Sequence, residues 1–189
     1  AAWLAVMKTG AIAVTTMPML RAPELAAIIG KARPAFAISD HRLLSELADA
    51  ASAGGVGTVL AWGAGDLEAR MAAASDRFTN VDTAADDVCL LAFTSGTTGQ
   101  PKACAHFHRD VLAMADVVGR HLLQTSPGDV YAGSPPLGFT FGLGALLVFP
   151  LRFRAATVPI EAPAPQAVLA AIEKHGVTCL FTAPIAYRA

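Results

Sequence analysis

The sequence is short of charge, of aromatic residues and of any surplus of one sign. Charged side chains are 15% of its 189 residues and aromatic ones 7%, and 14 basic against 15 acidic residues leave a formal net charge of −1. Without a basic surplus nothing is available to neutralise a run of phosphates, so nucleic acid is not an expected partner. With 54% apolar residues the composition is that of a folded domain and excludes a disordered tail. Cysteine is scarce. Cys89, Cys104 and Cys179 are odd in number and far apart, which fits neither a disulfide framework nor a metal knuckle. Each lies in a strand-like apolar stretch, and all three are expected as reduced core thiols.

A long hydrophobic run is also missing. The mean hydropathy of +0.49 is high, yet the most apolar stretch, residues 141–151, falls short of the ~20 residues that span a bilayer. Pro150 and Arg152 close it, so no membrane partner is expected, and alanine enrichment accounts for much of the hydropathy. The chain has no basic n-region or cleavage site of a signal peptide and does not start with Met. Together with reduced thiols this predicts a cytoplasmic protein. Residues 1–7 read as the middle of an amphipathic helix, so the 189 residues are expected to be a fragment, truncated at both ends.

What is present is an alternation of β-rich and helical runs. Strands are predicted at 11–14, 35–39, 56–61, 88–93, 130–133, 155–159 and 178–182. Helices are predicted at about 24–33, 42–52, 66–74, 110–123 and 166–175. Pro23 and Glu24 suit a helix start, where proline gives up no useful N–H and the acid faces the positive end of the dipole; Pro34 is a stop. In the segment opening at Asp110, Val111, Ala115, Val118 and Leu122 recur at helical spacing and predict one apolar stripe. The alternation implies an α/β fold with a parallel sheet, and the nearly continuous apolar runs 56–60 and 89–93 are expected where helices cover both faces. Residues 75–87, rich in aspartate, read as a surface connection, and Pro163 and Pro165 mark a second loop.

One stretch carries chemistry: Thr94-Ser95-Gly96-Thr97-Thr98-Gly99-Gln100-Pro101-Lys102, directly after an apolar strand. Glycines allow positive φ and close approach, so successive N–H groups can converge on one anion. The hydroxyls add donors and Lys102 a full charge, a set suited to a polyphosphate. A Walker A loop would place its lysine directly after glycine at the start of a helix. Here Lys102 follows Pro101 and precedes a strand-like Ala103-Cys104-Ala105, which disfavours a P-loop NTPase. By composition alone, the stretch is equally a Ser/Thr/Gly turn joining two strands of a hairpin.

All nine positions match the phosphate-loop signature of the adenylate-forming superfamily, which includes acyl- and aryl-CoA synthetases, luciferases and the adenylation domains of peptide synthetases. The resemblance extends upstream through Ala5-Val6-Met7-Lys8-Thr9-Gly10-Ala11, Pro18 and the Glu24-Leu25 helix, and downstream through His108-Arg109-Asp110. Essentially the whole chain is covered, as part of the large N-terminal AMP-binding domain. The run 105–113, with the run 139–144, looks most like the benzoate and 2-aminobenzoate CoA ligases. Two positions depart from the pattern: Ala103 stands where the family usually has glycine, a methyl that could crowd the turn, and Asp110 replaces a commoner asparagine.

The resemblance implies two steps. A carboxylate, aromatic by the subfamily likeness, attacks the α-phosphorus of ATP to give an acyl-adenylate and pyrophosphate; the CoA thiol then displaces AMP. Such in-line chemistry asks for positioning and charge stabilisation. The motif implies that Thr94, Ser95, Gly96, Thr97, Thr98 and Gly99 hold the β- and γ-phosphates, with Lys102 as the catalytic cation at the leaving pyrophosphate, and ATP, Mg²⁺ and CoA as cosubstrates. The Mg²⁺ glutamate, the nucleoside contacts and a mobile C-terminal domain belong downstream in the family, so these residues alone are not expected to adenylate. Phe139 aligns with the aromatic or histidine that gates the acyl pocket, whereas Phe141 reads as core. His106 and His108 lack a third partner at metal-ligand spacing and read as structural, with His108 capping the following helix or supporting the loop; no metal site is assigned. A domain that loads a carrier protein and a non-catalytic α/β module are the alternatives.

Overall fold

The computed structural model describes residues 1–94 and 101–188. They form two compact units: Ala1–Ala84 with Val88–Ala105, and Ala85–Asp87 with His106–Ala189.

The first unit begins with α1 (Ala2–Lys8) and the short strand β1 (Ala13–Thr15). Next come α2 (Ala22–Ala32), β2 (Phe36–Asp40), α3 (Leu44–Gly54), β3 (Thr58–Trp62) and α4 (Leu67–Ala73). The α2 start follows the signals in the sequence, with Pro23 in its first turn and the Arg21 N–H donating to Glu24 Oε2 at 2.8 Å. It ends at Arg33, which takes a left-handed φ of 47° before Pro34. Leu25 and Ile29 of α2 pack on Ala50 and Ala51 of α3, and Val59 of β3 packs against this cluster. The small alanines allow close helix approach: a Cβ on Gly54 would lie 2.3 Å from Ile29 Cγ2.

β2 and β3 pair in parallel, Ile38 opposite Leu60 and Asp40 opposite Trp62. Period-two alternation puts Val59 and Ala61 on the helix side and Phe36, Ile38 and Trp62 on the other. Phe36 is 68% exposed. The helix-covered burial expected for both faces of residues 56–60 is thus found on the α2/α3 side.

β4 (Val88–Thr94) is the middle strand of the sheet β1-β4-β5, and β5 spans Lys102–Phe107. β1 runs parallel to β4, with Val14 opposite Leu91. The residues before β4 have no regular structure and are nearly all exposed, as the aspartates predicted.

In the second unit α5 (His108–Ala115) continues into a π-helical stretch, Asp116–Leu122. The wider winding shifts the buried stripe: Ala115 and Gly119 are buried, while Leu122 turns out to solvent at 74% exposure, contrary to the stripe expected from a straight helix. Gly119 is needed there, since a Cβ would lie 2.3 Å from the Phe153 ring. The Asp110 carboxylate caps α5, accepting from the Phe107 N–H at 2.9 Å, so the cap is Asp110 and not His108.

β6 (Val130–Gly133) lies between β7 (Ala156–Val158) and β8 (Cys179–Phe181), all parallel. Between β6 and β7 the chain is helical over α6 (Thr140–Leu143), a π-helical turn (Gly144–Val148) and α7 (Phe149–Phe153). Nearly all of Gly142–Pro150 is buried. Pro150 has no N–H for the carbonyl four residues back, and the winding widens just before it. The helix α8 (Pro165–His175) starts on a proline and stops at Gly176, φ 60°. The parallel α/β character expected from the sequence is therefore present, distributed over three short sheets.

Candidate functional site

The chemistry-bearing loop leaves β4 and re-enters β5, its hydrogen-bonded neighbour. β4 can support it because Cys89, Leu90 and Ala92 are all at most 5% exposed, so the strand that delivers Thr94 is fixed by packing. Thr94 ends β4 and is exposed; Lys102 opens β5 and is exposed. Ser95, Gly96, Thr97, Thr98 and Gly99 lie outside the described residues. Lys102 starts a strand and not a helix, in agreement with the exclusion of a Walker A loop. Ala103 is inside β5 and takes no positive φ, so its own backbone does not require the glycine usual there.

Sequence reasoning missed one contact at this loop. Lys31 Nζ, in the last turn of α2, donates to the Pro101 carbonyl at 2.6 Å, across 70 residues of chain. No local pattern signals such a pairing. The downstream edge of the loop is thus tied to the α2/α3 core. A hydroxyl and an ammonium on neighbouring strand ends, with the intervening carbonyl occupied by a second lysine, make a cationic, donor-bearing sheet edge suited to an anion.

Cys104 departs from expectation: it is exposed in β5, whereas Cys89 is buried and Cys179 is half-buried. β5 turns a run of four exposed residues, Lys102 to Ala105, to the surface, so an apolar stretch in the sequence is not a core strand here. Among the described residues no three His, Cys, Asp or Glu side chains are grouped to hold a metal ion. The His108 N–H donates to the Asp87 carbonyl at 3.1 Å, and Arg109 pairs with Asp86 while its guanidinium lies 5.1 Å from the Phe107 ring centroid.

In the second unit Phe139 is the N-cap residue of α6, with extended backbone and 39% of its surface exposed. Its N–H donates to the Pro136 carbonyl at 3.1 Å and its own carbonyl accepts from Leu143 at 2.8 Å. Gly142 lets α6 lie on this turn, since a Cβ there would stand 2.1 Å from the Pro136 oxygen. Phe141 is no core residue. It is 44% exposed, its ring edge-on to Phe181 at 6.0 Å between centroids. Nearby, at the carboxyl ends of β6 and β8, the Ser134 and Thr182 hydroxyls share a hydrogen bond of 2.7 Å. Carboxyl ends of parallel strands are where α/β sheets commonly receive ligands.

Further from these ends, electrostatics serve the scaffold. The Asp116 carboxylate accepts both Arg152 Nε at 3.0 Å and Nη2 at 3.1 Å, which holds its pKa below the ordinary value and raises that of Arg152. Asp129 is likewise depressed, accepting from the Ser126 N–H and the Thr178 hydroxyl. Burial pushes the Tyr131 phenol up.

Comparison with known proteins gives one consistent family. The family model described as AMP-binding enzyme matches residues 1–189. A benzoate–CoA ligase of Thauera aromatica is 36% identical over 132 residues, 68% of this chain and 25% of the relative. An acetyl-coenzyme A synthetase of Escherichia coli K12 is 33% identical over 61% of this chain and 18% of its own length. An anthranilate CoA ligase, AuaEII, solved with anthranoyl-AMP superposes with a TM-score of 0.90 at 26% identity, over 98% of this chain and 38% of that one. ATP-bound MatB from Rhodopseudomonas palustris gives a TM-score of 0.87 at 26% identity, covering 98% and 37%. The chain therefore spans about a quarter of the length of the Thauera relative.

Proposed function

The chain belongs to the AMP-binding enzyme family, and from that premise we propose that the full-length protein activates an aromatic carboxylic acid with ATP and transfers it to CoA. In this reading the 189 residues are part of the large N-terminal domain of a cytoplasmic enzyme. The acid's carboxylate attacks the α-phosphorus, pyrophosphate leaves, and the thiol of CoA then displaces AMP from the acyl-adenylate. The loop from Thr94 to Gly99 holds the β- and γ-phosphates, Lys102 stabilises the departing pyrophosphate, and Phe139 lines the acid pocket.

The observation that carries the reading is the whole-length family match, on a chain whose nine-residue motif starts and ends on adjacent strands. Negative charge builds on the pyrophosphate as the phosphorus–oxygen bond breaks, so a fixed ammonium there lowers the barrier more than it tightens binding. Benzoate and anthranilate are favoured as acids by the likeness to benzoate–CoA and anthranilate CoA ligases. An exposed aromatic at Phe139 suits an uncharged ring. Mg²⁺ enters with the nucleotide; the described residues bring no cluster of metal ligands, and no step is assigned to it within this chain.

The test is acid-dependent exchange of labelled pyrophosphate into ATP by the full-length protein, followed by thioester formation with CoA. Benzoate or 2-aminobenzoate should support both. Lys102→Ala should lower kcat by roughly 10²–10³ with a smaller change in KM for the acid. Exchange that no carboxylic acid stimulates overturns the activity, and unchanged turnover in Lys102→Ala removes the lysine from it.

A further inference from the structure

We infer that Lys31 is a positioning residue for Lys102, acting through the Pro101 carbonyl; this rests on the adenylation reading above. The base of Lys31 is rigid. It lies in the last turn of α2, whose buried face carries Leu25, Ile28 and Ile29, locked in part against Ala50 and Ala51 of α3. From that base Nζ reaches 2.6 Å from the Pro101 oxygen. A lysine at a helix C-terminus gains from the dipole while fully solvated, so reaching a distant carbonyl is not needed for α2 itself. Reaching it costs rotamer freedom along a four-carbon stem, which only a charge-assisted bond offsets.

The acceptor matters because of where it sits. The carbonyl of Pro101 and the N–H of Lys102 belong to one planar peptide unit. Proline fixes its own φ, one bond before that unit, which leaves ψ of Pro101 as the rotation that aims the oxygen, and Lys31 fixes that direction. The plane from which Lys102 departs into β5 is then set before any ligand arrives. Lys102 is exposed and opens β5, so the ladder to β4 fixes its backbone on the strand side and the Pro101 carbonyl is the point held on the loop side. A preset root places the ammonium where charge develops without a reorganisation cost during reaction.

The experiment is acid-dependent pyrophosphate exchange by the full-length enzyme in four forms: unaltered, Lys31→Ala, Lys31→Arg, and Lys31→Ala combined with Lys102→Ala. Lys31→Ala should lower kcat roughly tenfold with the acid's KM unchanged, because coupled neighbours interact by this order. Its melting temperature should hold, since alanine favours an exposed helical position. Lys31→Arg should recover most of the rate, because a guanidinium can donate to the same carbonyl. In the Lys102→Ala background the second change should cost nothing further, an outcome that a general loss of structure would not give.

If Lys31→Ala fails to fold, Lys31→Met, which keeps the stem, is judged by the same criteria. An active parent enzyme with unchanged kcat in Lys31→Ala overturns this inference alone. So does an equal fall in the Lys102→Ala background, or no recovery by arginine. A parent without acid-dependent exchange overturns the adenylation reading, and the inference with it.

Discussion

The two units bury their apolar residues in different ways. In the first, α2 and α3 are amphipathic, and one face of a two-stranded parallel sheet lies against their alanine-rich seam while Phe36, Ile38 and Trp62 stand out on the other. In the second, the helical run through Thr140–Phe153 is apolar on nearly every side, and the neighbouring β6 residues Tyr131 and Ala132 are wholly enclosed. One-sided burial writes a period into the sequence, whereas all-round burial erases it.

That contrast can be broken most directly at Ile29. Ile29→Ala should cost about 3 kcal/mol in urea unfolding, because the void opens against alanines that have no side chain with which to fill it. Phe36→Ala, a larger truncation on the same unit's exposed face, should stay within about 0.5 kcal/mol. Equal losses at the two positions would mean that the Phe36 face is also covered. In the second unit Gly142→Ala should cost about 2 kcal/mol, since its Cβ would collide with the Pro136 carbonyl rather than with a side chain that can swing aside. Hydrogen exchange should localise the loss to residues 134–150. Protection unchanged there would show that the turn before α6 yields easily.

A smaller effect is read in the second unit by pH. The Asp129 carboxyl is held below its ordinary 3.8 by the Ser126 N–H and the Thr178 hydroxyl. A depressed carboxylate contributes fully above its unfolded value and loses that contribution as pH falls through its folded one. The second unit should therefore weaken below about pH 4 through this site. Thr178→Val should flatten that fall, read as the pH dependence of unfolding. An unaltered slope would remove the Asp129–Thr178 bond at 2.8 Å from the balance.

What could be read in advance follows the same division. The strand 130–133 was foreseen residue for residue, because a short β-branched and apolar run between turn residues has few alternatives. α2, α3, α4 and α8 lie within a few residues of their predicted spans, α2 on the signals of Pro23 and Glu24 at its start and Pro34 at its end. The helical run after Phe139 is implied by the family resemblance, as a glycine-rich helix start, and not by any helical period of its own. Its glycines and Pro150 look like breakers, and only neighbours at Pro136 and Phe149 show why small residues are required. Leu122 was misplaced because a π-helical turn, which leaves no local mark, shifted the stripe by one position. Phe141 and Cys104 were assigned to the core from hydrophobicity alone, a property that does not say which side of an element is covered.

The sequence by itself determined the parallel α/β character, the exclusion of a Walker A loop and the nine-residue motif that identifies the family, since each depends on residues close together along the chain. The tertiary structure alone decided that Lys31 reaches Pro101 and which aromatic rings lie at the surface. Those outcomes depend on which distant backbone atom or side chain arrives opposite, and a distance of 2.6 Å across 70 residues is a property of packing that no local pattern encodes.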